Sequence, residues 1–305
     1  LFIAIPCVVT FVPPTTVLKY ILPVLVVVWA LAMTVFRSPV LSLLGRYAMP
    51  KGLPLAASVL TLIGGTIGSF RFAANDLLLG LGPVFTFVFG SFVLLGSAAI
   101  LRFIHPPEIV SDEPVDKHQA QSPPPISIPA LGSIFVLGGS FAWGYRLLFD
   151  GVGKFLKLQL NSDDVQLQMV IFGIAGAIAA LPAGIIAKKV GNRNAMLGGM
   201  GVAILLMLLL PSLGANIIIL AALAISTSFV VNGTIPFALE MVPPSRGGLG
   251  IGMYFGGVGL AMSIFGSVFS QPQGITPEFA AFMSAIAFVL ALGSIVFSNF
   301  IQRQN

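Results

Sequence analysis

Long apolar stretches constrain the fold of this chain more than any other feature of its sequence. A helix needs roughly 20 apolar residues to cross the hydrocarbon core of a bilayer, which is about 30 Å thick. Such stretches recur along the 305 residues, of which 57% are hydrophobic and only 8% are charged. They predict nine full spans, at residues 20–45, 53–73, 80–104, 128–149, 164–187, 195–212, 216–240, 249–270 and 278–300, and an incomplete span at 1–12.

The same stretches indicate helices rather than the strands of a membrane barrel. Barrel strands are about 10 residues long and alternate apolar with polar side chains, whereas these runs are longer and apolar throughout. An ordinary soluble domain is excluded as well, because about a quarter of its residues would be charged. The predicted fold class is therefore an all-α polytopic membrane protein, a bundle of helices in lipid.

The second half of the sequence repeats the first half at a nearly constant offset. Pro39 and Pro236 are 197 positions apart, and Gly64 and Gly256 are 192 positions apart. Between these points Pro50-Lys51-Gly52 corresponds to Pro244-Ser245-Arg246-Gly247. Tandem repeats of several spans are common in membrane carriers. We therefore predict two pseudo-symmetric helical bundles with a solute passage where they meet.

The first of these two bundles is incomplete. Pro13 matches Pro211 at a similar offset, which aligns Leu1 with about Gly199, inside the third span of the second bundle. On this logic roughly 70 residues, two spans and part of a third, precede Leu1 in a protein of twelve spans. We predict an N-terminal bundle at 1–104 (end of span 3 to span 6), a linker at 105–127 and a six-helix C-terminal bundle at 128–305 (spans 7–12).

The linker at 105–127 is rich in proline and acidic residues, which is typical of a flexible connector; a regulatory tail is the alternative. If it is cytoplasmic, nine of the 15 Lys and Arg residues lie on the inner side, five lie on the outer side and Arg37 lies within a span. This distribution follows the positive-inside rule and predicts an integral protein of the cell (inner) membrane. The net charge of +5 therefore implies no nucleic-acid partner. The single Cys7 excludes an internal disulfide.

A tight basic loop between two predicted spans carries the clearest motif. It reads Gly184-Ile-Ile-Ala-Lys188-Lys189-Val-Gly191-Asn192-Arg193. This segment resembles the signature of the major facilitator superfamily, G-x-x-x-D-[RK]-x-G-[RK]-[RK], although Lys188 stands where the family has an acid. The resemblance implies the major facilitator fold and a cytoplasmic gate loop formed by Gly184, Lys188, Lys189, Gly191 and Arg193. An ordinary positive-inside loop would also explain the bases.

Two weaker similarities concern the transported solute. The segment Gly64-Gly-Thr-Ile-Gly68-Ser69 resembles the family's antiporter signature G-x-x-x-G-P, but Ser69 replaces the proline, which weakens a drug-export interpretation. Asp150-Gly-Val-Gly153 and the run from Pro236 are similar to the sucrose/proton symporter branch. That similarity implies a sugar or another small polar solute, carried with a proton.

Small residues at four-residue spacing predict faces where helices pack closely, because close backbone contact holds helices together in lipid. The glycines in these stripes are Gly64, Gly68, Gly176, Gly184, Gly248, Gly252 and Gly256. Smooth faces of this kind would also let two bundles rock against each other.

Ionisable and polar groups at membrane depth are candidates for substrate binding or coupling, because they are costly there. Arg37 lies about 17 residues, roughly 25 Å, into its span; snorkelling to the headgroups is its alternative role. Arg146 and Asp150 are one turn apart and can pair, and with Tyr145 they form either a mouth site or an interfacial belt. Asn232 and Glu240 flank Pro236, which frees a backbone carbonyl.

Together these features predict a secondary transporter that moves a small polar solute by alternating access, coupled to a proton, as a monomer without cofactor or metal. A membrane enzyme is the first alternative, but both histidines lie in the linker and no H-E-x-x-H or G-x-S-x-G motif occurs. The second alternative is a transporter-like scaffold or sensor, which the missing acid at Lys188 makes conceivable. The predicted partners are therefore the solute, a coupling proton and the lipid bilayer.

Overall fold

The computed structural model describes residue 8 and residues 16–48, 52–103, 127–269 and 275–304. Within these ranges the chain forms helices and no strand. The helices are α1 (Thr16–Tyr47), α2 (Leu53–Ser69), α3 (Arg71–Phe103), α4 (Ile128–Leu160), α5 (Gln166–Val190), α6 (Asn192–Leu213), α7 (Ile217–Glu240), α8 (Gly247–Val268) and α9 (Pro277–Gln304). The prediction of an all-α protein is confirmed. Apart from Val8 and Ser127, the predicted span at 1–12 and the linker lie outside the described residues.

Six of the described helices, α4 to α9, are long and apolar enough to cross a membrane. Their outward side chains are large and apolar, such as Leu167 at 67% exposure, Leu205 at 57% and Ile218 at 78%. A surface this apolar would be a liability in water and is suited to lipid. The chain is therefore a multi-pass membrane protein. Helices α1, α2 and α3 contain shorter apolar segments, at Tyr20–Trp29, Leu53–Ser69 and Val84–Ile100.

The boundary between α2 and α3 differs from the prediction. We expected one span to continue to residue 73 and the next to begin at 80, but α2 ends at Ser69 and α3 begins at Arg71. The helix α3 then contains a break at Gly82, whose φ of 84° is outside the helical region. This backbone conformation is open to glycine and strained for other residues. The apolar stretch predicted at 80–104 therefore corresponds to the second of the two helical segments of α3 that meet at Gly82.

Short turns join the helices of the C-terminal bundle. Gly191, with φ of 93°, separates α5 from α6, and Gly214, with φ of 73°, ends α6. The side chain of Asn216 then accepts hydrogen bonds from the backbone N–H groups of Ile218 and Ile219, at 3.1 and 3.0 Å, which caps the start of α7. The positive φ of Gly191, which glycine adopts without strain, permits the tight turn between α5 and α6.

Close backbone contacts hold α4 between α8 and α9. A side chain at Gly257 would collide with the carbonyl oxygen of Phe135, and one at Gly138 would collide with that of Tyr254. On the other side, the hydroxyls of Ser133 and Ser284 donate to the carbonyls of Ser294 and Gly144 at 2.7 and 2.8 Å. Interhelical hydrogen bonds and small residues are the two main sources of helix association in lipid.

The contact between the two halves of the chain is a close antiparallel crossing of α2 and α5. A Cβ atom added at Gly184 would lie 2.5 Å from Ser58 Cβ, and one added at Gly65 would lie 3.0 Å from Ala177 Cβ. At the other end of the crossing a side chain at Gly173 would collide with Ser69. From one pair to the next, the residue number on α2 rises by as much as the residue number on α5 falls, as a constant antiparallel register requires. Gly184 therefore lets two helices approach, as predicted.

Several of the other glycines that we predicted to pack closely against a neighbouring helix do not do so. Among the described residues, a Cβ atom added at Gly64, Gly68 or Gly252 would meet no atom within 4 Å, so these three do not form the predicted contacts with the described parts of other helices. Gly176 and Gly256 make ordinary contacts at 3.6 Å, and Gly248 is half-buried. The physical reason is rotational: on α2 the residues that meet α5 are one position further along, at Gly65 and Ser69.

Three helices converge at the end of the bundle that carries Arg193. Leu239, near the end of α7, lies 3.4 Å from a Cβ atom added at Gly45 in α1 and 3.0 Å from one added at Gly247 at the start of α8. The Ser58–Gly184 contact lies at the same end, because α2 begins there and α5 ends there. We call this end of the bundle the Arg193 end and the opposite end the Arg71 end.

Candidate functional site

A cavity of about 930 Å³ lies where the first three helices meet the C-terminal bundle, and we call it the seam cavity. The first half contributes Val40 and Leu41 from α1, Leu60, Thr61, Gly64, Gly65, Gly68 and Ser69 from α2, and Arg71 and Leu94 from α3. The C-terminal bundle contributes Tyr145 and Phe149 from α4, Phe172, Gly173, Gly176 and Ala177 from α5, and Ala224, Thr227, Ser228 and Val231 from α7. The volume is in the usual range of small-molecule sites.

Helical spacing explains why these residues share one space. The cavity side of α7 is formed by residues 224, 227, 228 and 231, which follow the i, i+3, i+4, i+7 pattern of one helix face. Tyr145 and Phe149 are one turn apart on α4. The glycines of α2 and α5 have no side chains. The backbone of both helices therefore borders the cavity between the points where α2 and α5 touch.

Arg71 supplies the charge of the seam cavity: among the lining residues that the structure describes, it is the only charged one. Arg71 is the first residue of α3 and is exposed, so it lies at the rim of the seam cavity. Its guanidinium carbon is 5.6 Å from the centre of the Phe149 ring, a cation–π distance. The Phe149 ring in turn packs against Tyr145 and Phe172, with ring centres 4.8 and 5.3 Å apart.

Ser228 brings an unpaired hydroxyl group to the same cavity. The residue is 3% exposed, and its Oγ atom has no hydrogen-bond partner within the described part of the chain. Its neighbour Thr227 uses its hydroxyl to donate to the backbone carbonyl of Leu223 at 2.7 Å. Ser69 does the same toward Gly65, at 2.6 Å. A buried polar group without a partner is unusual, so Ser228 stands out as an available donor and acceptor.

Of the residues proposed from the sequence, the structure brings Tyr145 to the cavity and leaves its neighbours outside it. Arg146 and Asp150 form the predicted ion pair at 3.5 Å, but neither lines the seam cavity. Arg146 lies 5.6 Å from the centre of the Phe265 ring, beside Trp143. Arg146 is also about 27 Å along α4 from Ile128, a depth that corresponds to the membrane interface.

Asn232 joins helices and does not line the seam cavity. It is 2% exposed, and its amide donates to the carbonyl of Ala180 in α5 at 2.6 Å. Asn192, at the start of α6, donates in the same way to Gly233 at 3.0 Å. The side-chain oxygens of both residues have no partner within the described residues. This polar layer ties α7 to both neighbours, and α7 runs through Pro236 as one helix.

Glu240 and the predicted gate loop lie at the Arg193 end. Arg193 interacts electrostatically with Glu240, places its guanidinium 5.4 Å from the Phe237 ring centre and contacts the sulfur of Met241 at 2.9 Å. Lys188 and Lys189 are exposed at the end of α5. This cluster fixes the α5–α6 turn to the end of α7. The backbone of Arg37 lies in α1, and its side chain is outside the described part of the structure.

Sequence reasoning assigned Arg71 to an outer loop and passed over Thr61, Thr227 and Ser228. The signal that could have found the two α7 residues is the run Ser226-Thr-Ser228 inside a span, three hydroxyls where apolar residues are otherwise continuous. No such signal exists for Arg71, since a base just beyond an apolar stretch is common at any membrane interface. Within the described residues, no group of three or more His, Cys, Asp or Glu side chains is placed to hold a metal ion.

The described lining residues therefore offer the cation Arg71, the hydroxyl of Ser228, aromatic faces and exposed backbone around a space large enough for a small molecule. Such a site can bind a solute, but the described lining residues include no histidine, cysteine or carboxylate.

Comparison with known proteins gives a limited result. No family model matches the chain, and no curated protein matches it. Among solved structures, the chain is similar to the crystal structure of a bacterial homologue of the iron transporter ferroportin in the outward-facing state, with 17% sequence identity and a TM-score of 0.49. The match covers 83% of this chain and 66%, just under two thirds, of that structure. At this level of similarity the fold assignment rests on the helices described above.

Proposed function

We propose that this chain is part of a secondary transporter of the major facilitator type, which moves a small solute through the seam cavity by alternating access. The observation that carries the proposal is the position of that cavity, between the first three helices and the C-terminal bundle. A site at the junction of two helical units is the usual location in carriers built from repeats. The motif around Gly184 supports the same family.

The closed contacts at the Arg193 end support alternating access. Leu239 packs against α1 and α8 positions there, and Ser58 packs against Gly184. Arg71 is exposed at the opposite end, at the rim of the cavity. We interpret this arrangement as a state that is closed at the Arg193 end, and the inward-open state would require Leu239 and Ser58 to leave these contacts.

Counterflow in liposomes tests the proposal. The full chain is reconstituted with unlabelled solute inside, and uptake of labelled sucrose, glucose, lactate, benzoate and glutamate is measured separately. A carrier gives saturable, transient accumulation of at least one of them. We further propose that transport is coupled to protons, as the similarity to the sucrose/proton symporter branch implies. Net uptake of that solute should then follow an imposed pH gradient and disappear when a protonophore is added.

A bulky side chain inside the cavity supplies a specific control. Gly68→Phe places a phenyl group on the cavity wall, where an added Cβ atom meets no atom of the part of the chain that the structure describes within 4 Å. Gly252→Phe makes the same change in equally open space on α8, away from the cavity. We expect Gly68→Phe to reduce counterflow at least about tenfold, which corresponds to about 1.4 kcal/mol, and Gly252→Phe to keep it. Equal flux in both variants, or no saturable flux for any solute, would contradict the proposal; the second result favours a scaffold or sensor.

A further inference from the structure

Resting on the proposed function, we propose that the seam cavity selects organic anions: solutes with one negatively charged group, bound by Arg71, and an apolar body that lies against the aromatic side chains. The first part of the proposal, a negatively charged group on the solute, rests on the charge of the described lining residues. Arg71 is cationic, and no described lining residue is acidic. A guanidinium group presents several N–H donors in a plane and binds a carboxylate through two of them.

Among the described residues, Asp150 is an acidic group that interacts with Arg71. The two interact electrostatically, but the carboxylate of Asp150 is paired with Arg146 at 3.5 Å and does not line the cavity. The guanidinium of Arg71 has five N–H donors, so Arg71 can donate to a solute in the cavity that it lines while it keeps its contacts within the protein. An anionic group of the solute meets a favourable field at the rim.

The rest of the lining defines the body of the solute. Phe149, Phe172 and Tyr145 form one contiguous aromatic surface, with Arg71 already over the Phe149 ring. Most of the remaining lining is aliphatic or glycine. A solute covered with hydroxyl groups would lose hydrogen bonds to water against such walls, whereas a flat apolar body would not. The aromatic surface therefore favours an amphipathic anion over a sugar.

Ser228 gives a second, independent polar contact. Ser228 is a lining residue of the cavity and is 3% exposed, and its Oγ atom has no hydrogen-bond partner within the described part of the chain. A solute with a polar atom beyond its apolar body would satisfy this hydroxyl. Arg71 then fixes the charged end of the solute, and Ser228 fixes a polar group deeper between α2, α5 and α7.

Equilibrium dialysis of the purified full chain against two matched probes tests this inference. The probes are the anion naphthoate and its neutral isostere naphthamide, which have the same ring system. We expect naphthoate to bind at least about tenfold more tightly, since a hydrogen bond to a charged group is worth at least that factor. Arg71→Gln should remove this difference by weakening naphthoate binding alone. Arg71→Lys should keep part of it, because it retains the charge without the planar fork.

Arg102→Gln is the matched control, because Arg102 is the basic residue in the last turn of the same helix and is exposed at its other end. It should leave binding of both probes unchanged. Thermal unfolding shows whether each variant is still folded. If Arg71→Gln is not folded, the test uses Arg71→Lys instead. Equal binding of the two probes, no binding of either, or the same loss in Arg71→Gln and Arg102→Gln overturns the inference.

The two proposals fail in different ways. If naphthoate binds through Arg71 but no solute shows counterflow, the transporter proposal fails and the binding site stands. If Gly68→Phe blocks counterflow while the two probes bind equally, the transporter proposal stands and anion selectivity fails.

Discussion

The contact between Ser58 and Gly184 allows the packing of the two halves to be tested quantitatively. A Cβ atom at position 184 would lie 2.5 Å from Ser58 Cβ, 2.6 Å from Ser58 Oγ and 3.0 Å from the carbonyl oxygen of Pro54. Carbon atoms in contact are normally about 3.5–4.0 Å apart, so Gly184→Ala must push α2 and α5 apart by about 1 Å at this point. We therefore expect the substitution to destabilise the folded protein.

The magnitude follows from two opposing effects. Overpacking a close contact costs about 1–3 kcal/mol, and replacing glycine by alanine within a helix regains about 0.5–1 kcal/mol. We expect a net loss of about 1–2 kcal/mol in the free energy of unfolding, measured by equilibrium unfolding of the full chain in mixed micelles. Gly64→Ala is the reference, because its added Cβ atom meets no atom within 4 Å in the described ranges of the chain. This variant should be as stable as the wild type or more stable.

A double-mutant cycle identifies the contact itself. Ser58→Gly removes the Cβ atom that obstructs Gly184→Ala, so the pair should recover about 1 kcal/mol of coupling energy. Ser58→Ala keeps that Cβ atom and should rescue much less. Recovery stays incomplete because the Pro54 carbonyl oxygen remains 3.0 Å away. The reasoning is refuted if Gly184→Ala is as stable as the wild type, or if Ser58→Ala and Ser58→Gly rescue it equally.

Two further predictions concern hydrogen bonds in the C-terminal bundle. Ser133→Ala and Ser284→Ala each remove one bond between α4 and α9 and should cost about 0.6 kcal/mol, at most about 1.7 kcal/mol, in the same unfolding measurement; a loss above 3 kcal/mol would mean that repacking dominates. Asn216→Ala removes the cap of α7 and should cost about 1 kcal/mol, whereas Asn216→Asp, which keeps an acceptor, should be nearly neutral; equal losses in both variants would exclude capping as the cause.

Much of the fold could be predicted from the sequence because each span is long and apolar. The bounds of α5, α6 and α7 follow the apolar stretches, and Gly191 and the i, i+4 pair Arg146–Asp150 behave as their local spacing implies. These features depend on neighbouring residues alone. The internal repeat and the six-plus-six arrangement remain predictions.

The identity of the cavity residues could not be predicted, because it depends on how each helix is rotated against the others. The four-residue spacing of Gly64 and Gly68 indicates a smooth face but does not say what covers it; in the structure that face borders the cavity. Ser228 escaped notice because serine in a helix usually bonds to its own backbone. Arg71 looked like an interfacial base, and only the start of α3 next to α2 brings it to the rim.

The glycines that border the seam cavity have a consequence for how this protein can evolve. At Gly64 and Gly68 an added Cβ atom meets no atom of the described residues within 4 Å, so each can change without disturbing the helix contacts described above. Glycine codons become alanine, serine or valine codons by one base change, and each such change would narrow the cavity by a small, defined step. If the seam cavity binds the solute as we propose, solute preference can change by single substitutions that leave stability intact. Gly65 and Gly173, which are pressed against the facing helices, cannot change in this way.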